Sequence, residues 1–192
     1  MAVTNTSGPD QGAVLHHGNP VAEQRAMVQG RAVVDRGHHQ VVAFTGPDRL
    51  VLLPALTSQA FEGLTVGTPT TALVLSPQGH VESGLEGVDD GETFWAITEP
   101  GAAQAMIDFF TRMRFMMRVE ITEVTQDWRL LWWGDHVDHV QDVARISWPS
   151  SIPGGREVLW PREADLPEAA LAGTWAFEAM RIEAGVPRIG LD

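Results

Sequence analysis

The sequence predicts an α+β fold built from ferredoxin-like units, and three observations carry the prediction. Between residues 70 and 133, short strand-like segments, two of them joined by Asp89-Asp90-Gly91, flank one strongly amphipathic stretch at 100–114. Strands, one helix and a further strand in that order make a split βαβ pattern. Helical apolar spacing also occurs near both ends of the chain, at Pro20–Gln29 and at Leu171–Val186. The hydrophobic share of 44% and charged share of 20% belong to a globular chain with a sizeable core.

Taken in order, residues 1–12 are small and polar and read as a loose tail. Pro20–Gln29 predicts a short helix, with proline at its start and Gly30 at its end. Ala32–Asp35 and Gln40–Thr45 predict strands around an Arg-Gly-His-His turn. Thr45-Gly46-Pro47-Asp48-Arg49 turns into a short helix ending near Pro54, and glycines at 63 and 67 mark a loop. Thr71–Leu75, His80–Val88 and Thr93–Thr98 predict strands separated by turn signals. In the helix at Pro100–Arg114, Met106, Phe109, Phe110 and Met113 share a face. Arg118–Val124 and Trp128–Trp133 predict strands and Asp135–Ala144 a helix. Arg145–Trp148 and Glu157–Trp160 follow as strands. The closing helix, from Leu171 to a Gly185-Val186-Pro187 break, places Leu171, Trp175, Phe177, Ala179, Ile182 and Val186 on an apolar stripe. Glu178, Arg181 and Glu183 remain for its wet face.

Net charge is −12, and all 13 basic residues are arginine. An acidic surface of this kind argues against general binding to nucleic acid or anionic membrane, both of which need a basic face. Cysteine is absent, which excludes disulfides, thiolate nucleophiles and cysteine-ligated clusters within this chain. The first residues lack the layout of a signal peptide and no apolar run reaches the roughly 18 residues of a membrane span. A cytoplasmic location is the resulting expectation.

Among motifs with chemical content, Asp135-His136-Val137-Asp138-His139 places two histidines three apart, but no third ligand set accompanies them. A solvated helix start is the favoured reading and no metal site is predicted. His16-His17 and His38-His39 read as exposed turn residues, since no nucleophile or carboxylate partner is positioned by spacing. Gly154-Gly155 lacks the lysine and the Gly-x-Gly-x-x-Gly spacing of a phosphate loop. Met113–Met117 reads as packing, with Arg112, Arg114 and Arg118 as a solvated basic rim. No complete catalytic set emerges, and no catalytic residue is predicted.

Three stretches in order carry a resemblance. Val41–Gln59 (VVAFTGPDRLVLLPALTSQ), Leu73–Leu85 (LVLSPQGHVESGL) and Trp175–Asp192 (WAFEAMRIEAGVPRIGLD) resemble the YgfZ-like folate-binding proteins. Those belong to the superfamily of the glycine-cleavage T-protein, an aminomethyltransferase. The resemblance runs from about residue 13 to 192, and RIEAGxPRxG is its most specific part. It implies ferredoxin-like units around a hole that holds tetrahydrofolate, and a role in iron–sulfur protein assembly or maintenance. It also implies a division into a tail at 1–12, a discontinuous unit of 13–59 plus 126–192, and a ferredoxin-like unit at 60–125.

Two departures shape the functional expectation. The paired aspartates of the T-protein fall at Ser83 and Gly84, so electrostatic help for aminomethyl transfer is lost. The family's Lys-Gly-Cys-Tyr signature and its C-terminal barrel domain lie beyond the residues of this sequence. The leading expectation is therefore a non-catalytic tetrahydrofolate-binding-type protein. The alternative is a degenerate interaction domain that needs a partner chain or self-association to cover apolar surface; an aminomethyltransferase is disfavoured.

By the resemblance, Glu157 lies near an acidic position that contacts the pterin, where a carboxylate accepts paired N–H bonds; an exposed strand charge is the competing reading. Asp192 matches an acidic position in the family's ending. Arg181 is the third candidate, although with Glu183 it also suits local helix ion pairs.

Overall fold

The computed structural model describes residues 1–61, 63–138 and 143–189. In chain order its elements are β1 (Val3–Thr4), β2 (Val14–His16), α1 (Pro20–Val28), β3 (Ala32–Asp35), β4 (Gln40–Thr45), α2 (Arg49–Leu56), β5 (Pro69–Leu75) and β6 (Val81–Asp89). There follow β7 (Thr93–Thr98), α3 (Ala103–Met113), β8 (Glu120–Glu123), β9 (Trp128–Gly134), β10 (Ile146–Pro149), β11 (Gly155–Pro161), β12 (Ala170–Ala172) and α4 (Thr174–Glu183). The fold is α+β, as the sequence predicts.

The chain divides into two compact units, Met1–His38 with Asp127–Asp192, and His39–Gln126. The first boundary therefore falls at 38–39 and not at 59–60. The reason is β4, which pairs antiparallel with β7 and β8 and so belongs to the sheet of the second unit.

That sheet has the strand order β5-β6-β7-β4-β8 and is antiparallel throughout. Alternate residues send Val42 and Phe44, Phe94 and Ala96, and Ala72 and Val74 into a core closed by Leu52 and Leu53 of α2 and Met106 and Phe110 of α3. The Phe44 and Phe110 rings meet edge to face at 5.1 Å, and Phe61 and Phe94 at 5.4 Å. Helix α2 runs through Pro54 to Leu56 rather than stopping at the proline. Pro54 lies in the last turn, where it removes a single backbone bond, and burial of Leu52 and Leu53 holds the helix. After α3 the chain turns at Phe115, whose φ of 48° is left-handed and whose side chain is 88% exposed.

In the first unit the sheet order is β10-β11-β9-β3-β12, with β12 parallel to β3 and the other pairs antiparallel. One face carries Ala32, Val34, Trp132 and Ala172 under Met27 of α1 and Ala176, Phe177 and Met180 of α4. The other carries Val33, Leu131, Trp133, Val158 and Trp160. Trp133 and Trp160 lie 5.6 Å apart.

The structure departs from the expected layout at several places. Leu171 is in a strand, because extended Gly173 separates β12 from α4. On α4, Trp175 and Ile182 are exposed while Arg181 is buried, so the helix turns a different face inward. Residues 135–138 form a turn and not a helix, and residues 139–142 lie outside the described residues. His38 and His39 are not exposed: His39 is buried, and the His38 side chain lies beside Asp10. Nor is 1–12 a loose tail, since β1 pairs with β2 and Asp10 is tied down by ion pairs.

Candidate functional site

Glu157 sits on β11, opposite Trp132 of β9 and on the sheet face covered by α1 and α4. It is 1% exposed, so it is not a solvated strand charge. Its carboxylate accepts hydrogen bonds from Arg36 Nη1 at 2.9 Å and from Ser150 Oγ at 2.8 Å. A bare carboxylate in such a place would be driven out or neutralised; the paired guanidinium and the hydroxyl are what make it tenable.

Arg36 reaches Glu157 because the alternation of β3 carries past its end. The Arg36 N–H still bonds to the Leu130 carbonyl at 2.9 Å, which keeps Arg36 on the face of Val34. Its guanidinium carbon lies 4.3 Å from the centre of the Phe177 ring, a cation–π contact. The indole of Trp132 fills the space beside Gly155, where an added Cβ would come 2.4 Å from its ring; only glycine is accommodated. The Trp132 Nε1–H is buried and has no hydrogen-bond partner among the described residues.

Arg181 lies four residues beyond Phe177 on α4 and is buried. It donates to Glu178 Oε2 at 2.8 Å and to the Val186 carbonyl at 2.6 Å. Glu178 also receives Arg188 Nη1 at 3.2 Å, and Arg188 grips both oxygens of Asp10 at 3.1 and 2.5 Å. His38 Nε2 is 3.2 Å from the same carboxylate. The His38 hydrogen bond, ahead of those from Arg188, holds the Asp10 carboxyl well below the usual carboxylate range against the opposing effect of burial. Asp192 lies outside the described residues.

In the second unit, Ser83 and Gly84 pair with Val74 and Leu73 on the β5–β6 hairpin, and neither supplies a carboxylate. Thr98 Oγ1 bonds to the Gly84 carbonyl at 3.0 Å. The Thr-Gly-Pro-Asp-Arg stretch is structural. Gly46 has φ +123° against the Arg118 carbonyl, which no side chain would permit. Asp48 binds the Arg118 N–H at 2.8 Å and its guanidinium at 3.1 and 3.0 Å, which lowers the Asp48 pKa. Arg49 forks onto Asp89 at 2.7 and 2.9 Å, which raises the Arg49 pKa.

The crystal structure of the glycine cleavage system aminomethyltransferase T from Bartonella henselae matches this chain with a TM-score of 0.72 at 15% identity. The match covers 97% of this chain and 60% of that one. The two share a fold. No protein-family model matches the sequence, and no curated protein does. This chain therefore spans 60% of the length of that aminomethyltransferase.

Of the three residues expected from sequence, the structure buries Glu157 and Arg181 on one side of the same sheet. Arg36, Ser150, Arg188, His38 and Asp10 were missed. For Arg36 a signal exists, since it is two residues after Val34 in a strand pattern and thus inward-facing; for Asp10 none does. His139 of the possible metal pair lies outside the described residues. Among the described residues no group of three or more His, Asp or Glu is placed to hold a metal ion, and no helix is long and apolar enough to cross a membrane.

Proposed function

We propose that this chain is a non-catalytic tetrahydrofolate-binding-type protein connected with the assembly or maintenance of iron–sulfur proteins. The observation that carries the reading is the buried Glu157 carboxylate, fixed by Arg36 and Ser150 opposite Trp132, whose indole N–H has no partner among the described residues. A fixed anion suits the amino group and ring N–H of a pterin, and an orphan donor suits a ring acceptor. The aminomethyltransferase-like fold supports the same class of ligand. The residues at 83 and 84 support binding without group transfer, because no carboxylate stands there to steady a developing cationic centre.

Isothermal titration with reduced folates tests the binding. Heat with a dissociation constant in the micromolar range is expected for the wild type, weakened at least tenfold in Glu157→Ala. No heat at high micromolar ligand would remove the folate reading. Folate-dependent aminomethyl turnover would instead restore the third reading, a working aminomethyltransferase. Loss of iron–sulfur enzyme activity on deleting the gene, restored by the wild type and not by Glu157→Ala, tests the role in maintenance.

A second reading, an interaction domain completed by a partner chain or by self-association, is favoured by one observation. Phe115 and Met116 are 88% and 83% exposed at the tip of a turn. Light scattering coupled to size exclusion separates the two: a concentration-independent monomer speaks against self-association.

A further inference from the structure

Residues 1–12 are exposed at every position except Asn5 and Asp10. Short backbone turns within 5–13 and the two-residue pairing of β1 with β2 are what hold this segment in shape. Asp10 is different. Its side chain is 14% exposed and enters a site made by two side chains of the main body, Arg188 and His38, which are 6% and 7% exposed. The guanidinium fork meets the two carboxylate oxygens side by side, and the imidazole caps one of them.

The groups that receive Asp10 are themselves fixed by the body of the unit. Arg188 is braced by Glu178, and Glu178 by Arg181. His38 follows the turn after β3, where Gly37 N–H bonds to Asp35 at 2.7 Å and Arg162 bonds to the Gly37 carbonyl at 2.8 Å. The receiving side is therefore preorganised, whereas the carboxylate arrives on a loop with little burial of its own. Local opening of such a loop costs far less than global unfolding.

We infer that Arg188 and His38 form a carboxylate-binding subsite that Asp10 fills in cis, and that a small organic carboxylate competes with Asp10 for it. The N-terminal segment is then a displaceable plug. The inference stands apart from the folate reading, since it requires only a free carboxylate and the two receiving side chains.

Chemical rescue tests it on the full chain. Asp10→Ala vacates the subsite while leaving its walls in place. Sodium acetate, compared with sodium chloride at equal ionic strength, is expected to raise the Tm of this variant by about 3 °C at a concentration tenfold above its Kd. The wild type should show no more than a small part of that gain, and Asp10→Ala combined with Arg188→Gln should show none. An equal response to acetate and chloride in Asp10→Ala, or a gain that survives loss of Arg188, would overturn the inference. Should Asp10→Ala fail to fold, Asp10→Ser, whose short hydroxyl also leaves the guanidinium fork unfilled, is read in the same way. The same acetate-specific rise is expected there, and its absence is equally fatal.

Discussion

Arg36 and Glu157, 121 residues apart in sequence, meet at 2.9 Å with side chains only 9% and 1% exposed. A pair so buried is costly to break and cheap to replace whole, because desolvation has already consumed most of the Coulombic gain. Glu157→Ala should destabilise the fold by about 3–5 kcal/mol by removing the buried carboxylate that faces the guanidinium. The double replacement Arg36→Met with Glu157→Leu should recover most of that loss, and should abolish folate binding all the same. Urea unfolding of the single and double variants measures the first effect and calorimetry the second.

Gly155→Ala probes the packing beside the pair. Its Cβ would lie 2.4 Å from the Trp132 ring, and that ring is fully buried. A loss of about 1–3 kcal/mol is expected, with a shift in tryptophan near-ultraviolet dichroism. Unchanged stability and an unchanged spectrum would show that Trp132 does not fill this space.

Phe115→Gly should stabilise the second unit. A left-handed non-glycine residue costs about 1–2 kcal/mol, and an 88% exposed ring gives little packing in return. Glycine's extra freedom in the unfolded chain takes back up to about 1 kcal/mol, so a net gain of about 0.5–1 kcal/mol is expected in thermal or urea unfolding. If Phe115 docks a partner, the same variant will lose that association while gaining stability.

Asp10 predicts an acid limb in the stability curve. Its folded pKa is lowered, by His38 first and then Arg188. Its contribution is therefore fully present above the ordinary unfolded value of about 3.9 and is lost as the pH falls below it. Asp10→Asn should be about 1 kcal/mol less stable than the wild type at pH 7, with the gap closing between about pH 5 and pH 2. A gap that stays constant over that range would show that Asp10 is not held ionised in the fold.

Much of the strand layout was legible because period-two patterning and turn residues are local signals. Asp89-Asp90-Gly91 announces the β6–β7 hairpin, and Met106 with Phe110 announces the buried face of α3. Misreadings arose where a tertiary partner outweighs a local pattern. Arg181 looked like a wet-face charge, yet Glu178 and the Val186 carbonyl satisfy it in the interior. Leu171 extended a helical stripe by spacing alone, but parallel pairing with Val33 claims it for β12. Glu157 was legible as a candidate only through resemblance. Of its partners, Arg36 is legible as inward-facing from its spacing to Val34, whereas Ser150 depends on a contact that no spacing encodes. Asp10 sits in a stretch whose composition reads as a loose tail, and it is the distant His38 and Arg188 that explain why it is held.

The pairing of β3 with β9 has a topological consequence. Val33–Asp35 and Leu131–Trp133 form an antiparallel ladder, closed by the Arg36 N–H on the Leu130 carbonyl. In chain terms these two strands are the arms of a hairpin, and everything from 39 to 126 is its loop. Since loop-closure entropy grows only with the logarithm of length, an enormous loop costs this ladder little more than a modest one. The second unit is thus an insertion that the first tolerates. Splicing residue 38 to residue 127 through a tight turn should leave a chain able to fold around the same ladder.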